Sequence, residues 1–132
     1  MQEQEIERTM RAVYAAFNQR DIDGCLQYMT GDVHWPKASE GGTVVGKEEI
    51  RAYWTRQWSE FDPYVEPIEI LMAADGKVRV RVHQVVRSLS GDLLFDGEVL
   101  HVYAMREGCI SAMTLGEADA DGKASAAFAR QH

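Results

Sequence analysis

The chain has 132 residues and a formal net charge of −7, with 45% apolar and 27% charged residues. That is the size and composition of one globular domain with a core, and it excludes a disordered, fibrous or two-domain chain. No apolar run approaches the ~18 residues that span a bilayer, and an acidic chain without a basic stripe lacks the phosphate-neutralising surface of a nucleic-acid binder. The polar opening MQEQEIERTM reads against a secretory signal or transit peptide. Cys25 and Cys109 have no CxxC spacing, so reduced thiols and a cytoplasmic location are expected.

In chain order, Ile6, Met10, Val13 and Phe17 make the apolar stripe of a first helix. Asp21 is placed to cap a short second helix with Ile22, Leu26 and Met29 on its apolar side, and Gly31 to stop it. The stretch 32–36 reads as a brief strand and 39–46 as a glycine-rich loop. Ile50, Trp54, Trp58 and Phe61 give a third helix one bulky face, with Pro63 closing it. Strands are expected over 65–73, 77–88, 93–106 and 109–115, separated by Asp75-Gly76, Ser90-Gly91 and Glu107-Gly108. Val78, Val80 and Val82 alternate with Arg79, Arg81 and His83, a period of two that only a strand produces. Helices followed by hairpin-ordered strands predict an α+β domain over 1–116, with helices on one face of a curved antiparallel sheet. The segment 117–132 is expected to be a flexible or loosely docked tail.

Tight two-residue turns at Asp75-Gly76 and Ser90-Gly91 set a register. His83 then opposes Glu98 and Ile68, Arg81 opposes Leu100 and Ile70, and Val85 opposes Asp96. One face carries Arg79, Arg81, His83, Asp96 and Glu98 among apolar residues; the other is almost wholly apolar. Either the mixed face lines a cavity under the helices and the apolar face pairs with a second copy, or the apolar face packs on the helices and the charges meet solvent. A one-residue slip exchanges the two faces.

Phe17-Asn18-Gln19-Arg20-Asp21-Ile22-Asp23-Gly24 resembles the helix-junction pattern xNxxDxDG of the nuclear transport factor 2-like superfamily, which includes ketosteroid isomerases and SnoaL-like polyketide cyclases. The stretch from Gly46 to Trp54 and the final strand beginning Arg106-Glu107-Gly108-Cys109-Ile110 are similar to that superfamily as well. The resemblance implies a cone-shaped, strongly bent sheet wrapped around three helices, a deep pocket, and dimerisation through the outer sheet face. It favours the pocket register, with Arg81, His83, Val85, Leu100 and Val102 lining the cavity. A gapless match to the isomerases places their catalytic tyrosine on Val13, with Tyr14 one residue off; their base falls on Lys37 and their protonated aspartate on Leu100. None of the three is kept, so isomerase chemistry by those residues is not expected. The superfamily hosts many activities, and fold alone does not choose among them.

The candidates follow. A carboxylate opposite His83 orients an imidazole as general base, so His83 and Glu98 are the candidate catalytic pair; the same pair also reads as an ordinary cross-strand charge pair. Arg81 can bind a ligand carboxylate or enolate, or balance Asp96 and Glu98. Trp35 and Trp54 are expected at the cavity, with Trp58 packed more deeply. Lys37, Tyr14, Leu100, Val102 and Met113 complete the expected ligand-binding set. No metal spacing and no phosphate loop occur, so no metal and no cofactor are expected. The function expected is binding of a small apolar organic molecule, with cofactor-free isomerisation, cyclisation, dehydration or hydrolysis. The alternative is a non-catalytic ligand-binding or dimerisation module.

Overall fold

A computed structural model describes residues 3–37 and 40–116; the expected tail lies outside them. The elements are α1 (Glu3–Asn18), α2 (Ile22–Leu26), β1 (Met29–Pro36), β2 (Thr43–Val45), α3 (Lys47–Glu60), β3 (Phe61–Met72), β4 (Val78–Ser88), β5 (Leu93–Arg106) and β6 (Cys109–Leu115). Among the described residues, no helix is long and apolar enough to cross a membrane.

The apolar stripe of α1 is buried as its spacing requires, and Tyr14 joins Ile6, Met10 and Val13 in the core. The junction after it explains the pattern that carried the resemblance. Arg20 takes a left-handed conformation (φ 62°). The Asp21 N–H then closes on the Ala16 carbonyl and the Arg20 N–H on that of Phe17, the double bond that ends many helices. Glycine usually fills that position, but here the side chain is used: the Arg20 guanidinium donates to the Pro63 carbonyl at 2.9 Å and pairs with Asp62. Asn18 acts as a one-residue strand, donating to the Val65 carbonyl (2.7 Å) and accepting from the Val65 N–H (2.9 Å). Asp21 caps α2 by accepting from the Gly24 N–H at 2.9 Å. A Cβ on Gly24 would lie 2.4 Å from that carboxylate, so the cap requires glycine there.

Several expected boundaries move. Gly31 sits inside β1, and β2 lies within the expected loop. The third helix ends at Glu60, so Phe61 opens β3, and Pro63 falls inside that strand. An edge strand accommodates a residue with no N–H to donate. The sheet order is β2-β1-β6-β5-β4-β3. It is mixed rather than antiparallel throughout, because β1 runs parallel to β6. Shifts of register that leave extra residues in β1, β3, β5 and β6 mark bulges that bend strands, and the open, unclosed sheet curls around the helices as the cone.

The β4–β5 register is the expected one: His83 opposes Glu98, Arg81 opposes Leu100 and Val85 opposes Asp96. It is reached by a different route. The turn is one residue longer, with Ser88 bonded to Asp92, and a shift at Val86/Arg87 restores the pairing. The β3–β4 turn is also a three-residue loop, Ala74-Asp75-Gly76, closed by Ala73 on Lys77. Gly76 supplies its left-handed residue (φ 82°). Nothing downstream offsets that extra residue, so Arg81 opposes Glu69 rather than Ile70, and Ile70 opposes Val80.

The orientation is the reverse of the one favoured by the resemblance. Val78, Val80, Val82 and Val86 are fully buried beneath the helices, with Val99, His101 and Tyr103 beside them. Arg79, Arg81, His83, Asp96 and Glu98 face outward. Desolvating such a set of charges costs several kcal/mol per ion, whereas each buried valine contributes about 1.5–3 kcal/mol. The apolar row therefore takes the inside.

Candidate functional site

The cone holds a half-open cavity of about 70 Å³ between α1, α3 and the inner sheet face. Tyr14 and Phe17 reach it from α1, Trp35 from β1, and Tyr53, Trp54 and Gln57 from α3. The sheet contributes Gln84 and His101, with Met113 and Leu115 at one side. The walls are aromatic and interlocked: Trp54 meets Trp35 and Phe17 edge-on, with ring centroids 5.5 Å apart in each pair. Among the described residues, none that lines it is Asp, Glu, Lys or Arg.

One polar chain crosses this apolar surface. The Tyr14 hydroxyl lies 2.7 Å from His101 Nδ1 and 2.8 Å from the Tyr103 hydroxyl. The strand period that puts the valines inside carries His101 and Tyr103 with them, and the turn after Val13 brings Tyr14 opposite. Burial depresses the His101 imidazole to about 4 and raises both tyrosines above their ordinary range, since a charge here loses its water without gaining a counter-charge. At neutral pH all three groups are uncharged. In one tautomer Tyr14 donates to Nδ1 and Nε2–H is free to donate. In the other, Nδ1–H donates to Tyr14, Tyr14 donates to Tyr103, and Nε2 accepts. The site therefore offers a donor or an acceptor to a ligand oxygen without a change of net charge. On the roof, Gln57 Nε2 donates to the Tyr53 hydroxyl at 3.2 Å.

Of the expected ligand-binding residues, Tyr14, Trp35, Trp54 and Met113 line this cavity. Leu100 and Val102 lie on the outer face with Arg81, one residue from the inward His101 and Tyr103. Lys37 follows β1 and sits 3.7 Å from Glu40 rather than among the lining residues. Trp58 is only partly buried, stacked on Trp54 beneath the Arg20 guanidinium, and is not the deeper of the two. His83 and Glu98 face each other across the strands but do not bond: His83 Nε2 is 2.7 Å from Asp96, and Glu98 holds Arg81 at 3.0 Å. The His83 side chain is 39% exposed, outside the cavity. His101, Tyr103, Gln57 and Gln84 were missed. The signal was present in the alternation, which places His101 on the valine face, opposite to His83.

Residues 10–113 match the SnoaL-like domain family. TerC, co-crystallised with polyporic acid, is 28% identical with a TM-score of 0.75, over 96% of this chain and 98% of that one. A nuclear transport factor 2-like protein of unknown function from Burkholderia pseudomallei is 22% identical with a TM-score of 0.77, over 96% and 95%. A Mycobacterium tuberculosis protein in complex with estradiol-17β-hemisuccinate is 14% identical with a TM-score of 0.72, over 86% and 93%. At their identities the last two show the fold alone. No curated protein matches in sequence.

Proposed function

The chain belongs to the SnoaL-like family, and from that premise we propose that it binds a small, mainly apolar organic molecule in the cone, with one ligand oxygen held at the Tyr14–His101 pair. The observation that carries the reading is a buried, uncharged Tyr103–Tyr14–His101 chain opening on an aromatic cavity whose described lining residues include no Asp, Glu, Lys or Arg. Polyporic acid in TerC and estradiol-17β-hemisuccinate in the mycobacterial protein are ring-bearing organic ligands held by chains of this fold.

The chemistry such a site supports is cofactor-free proton transfer next to a carbonyl. His101 takes the proton at Nε2 while Nδ1–H donates to Tyr14, and returns it to a second position of the same ligand, so the imidazole ends neutral. A non-catalytic binding role is the second reading. It is favoured by the depression of His101 to about 4, which makes it a weak base at neutral pH. The test uses 2-tetralone, a neutral bicyclic ketone, in deuterated buffer. Quenching of tryptophan fluorescence reports binding, and NMR reports exchange at the carbon beside the carbonyl. Binding weakened about fivefold or more by Tyr14→Phe supports the site, and exchange lost in His101→Gln supports catalysis. Binding without accelerated exchange selects the non-catalytic reading; no binding, or binding indifferent to both substitutions, refutes the site.

The outer sheet face supports pairing of two copies. It exposes Tyr64 (49%) and Leu71 (53%) beside Leu100 and Val102, which oppose Arg81 and Arg79. Apolar surface interleaved with ion pairs suits a self-complementary two-fold contact.

A further inference from the structure

Among the described residues, two polar side chains on the sheet wall of the cavity, Gln84 and His101, have no protein partner for part of their hydrogen-bonding capacity, and they sit far apart. Gln84 is only 9% exposed and lines the cavity, yet among the described residues no hydrogen bond reaches its side-chain amide. Its amide atoms are not sealed off within the core but lie on the cavity wall, where a ligand can supply a partner. His101, 8% exposed, uses Nδ1 on Tyr14 and has no described partner at Nε2. Gln84 opposes Gly97, whereas His101 opposes Val80. The two therefore stand four residues apart along the strands, about 13 Å at 3.2–3.4 Å per residue, with the Val82/Val99 row between them. Gly97 has no side chain to fill the space beside Gln84.

We infer that the cavity takes an elongated, uncharged aromatic molecule with an oxygen function at each end, one held by Tyr14–His101 and the other by Gln84. This rests on the cavity reading above and extends it by naming the ligand's second end and its charge. A carboxamide both donates and accepts, so the far oxygen is a hydroxyl or a carbonyl. A carboxylate is disfavoured, since among the described residues no Lys or Arg lines the cavity to offset its desolvation.

Three probes test it by tryptophan quenching and calorimetry: naphthalene-2,6-diol, 2-naphthol and 6-hydroxy-2-naphthoate. Wild-type protein should bind the diol about fivefold or more tighter than 2-naphthol, and the naphthoate should bind more weakly than either. In Gln84→Met, which keeps the side-chain length, the preference for the diol over 2-naphthol should collapse to within about twofold; near-ultraviolet circular dichroism confirms the fold. Equal binding of diol and 2-naphthol by wild type, or an undiminished preference in Gln84→Met, overturns the role of Gln84 while leaving the cavity reading standing. Naphthoate binding as tight as the diol overturns the uncharged requirement. Failure of 2-naphthol to bind at all overturns both this inference and the reading beneath it.

Discussion

Replacing His101 by glutamine should remove a defined part of the protein's acid sensitivity. Burial holds the imidazole at about 4 in the folded chain, against 6.5 when unfolded. Because the folded value is the lower one, the unfolded chain binds the extra proton, and stability falls as the pH drops from 6.5 towards 4. The full difference corresponds to about 3 kcal/mol; between about pH 7.5 and about pH 5 the linkage integral gives about 2 kcal/mol. Tyr14 and Tyr103, the titratable groups bonded in the same chain, are shifted upward and stay neutral throughout that window. Urea unfolding of wild type and His101→Gln at the two pH values isolates the effect, since the carboxylates common to both cancel. The variant is less stable at the higher pH, having lost the Tyr14 contact, but should lose about 2 kcal/mol less on acidification. If the two proteins lose the same amount to within ~0.5 kcal/mol, His101 is not the buried neutral group described here.

Other outcomes follow from the same geometry. Tyr14→Phe keeps the ring but leaves His101 Nδ1 and the Tyr103 hydroxyl without their partner; at about 1–3 kcal/mol for each of the two orphaned groups, it should lower the urea-unfolding free energy by about 2–6 kcal/mol. Asn18→Ala orphans the N–H and carbonyl of Val65 and should cost about 2 kcal/mol by the same measurement, with Asn18→Asp, which keeps only the acceptor, costing less. His83→Ala should leave 2-tetralone affinity within about twofold, because His83 lies on the outer face; a loss of about tenfold or more, ~1.4 kcal/mol, would put it at the cavity. Light scattering should give twice the 14.9 kDa chain mass, and Leu100→Glu with Val102→Glu should return the monomer. A wild-type monomer would refute pairing through that face.

Much of the fold was legible because it depends on short-range regularities. The α1 stripe, the Asp21 cap and the limits of β5 and β6 each follow from residues a few positions apart, and the structure keeps them. The cross-strand pairing of His83 with Glu98 was legible too, although two one-residue shifts had to offset each other to preserve it. In the β3–β4 pairing the extra loop residue moves the partners by one, and the shift at Pro67/Glu69 adds to it instead of offsetting it, so His83 opposes Glu66 rather than Ile68. The parallel β1–β6 contact joins segments some eighty residues apart, and no local pattern announces it.

The site divides along the same line. Residue order by itself settled that Arg79, Arg81 and His83 share one face, that Val78, Val80, Val82, His101 and Tyr103 share the other, and that aromatic side chains gather on the helices, because strand and helix periods are properties of the backbone. Which face meets the helices is a property of the whole molecule. It is decided by the cost of taking charges out of water against the gain from burying valines, and that comparison exists only once the sheet has curled around α1 and α3. Packing sent the charged row out to solvent and drew the histidine nobody's motif had marked, with two tyrosines, to the aromatic side of the sheet beneath the helices.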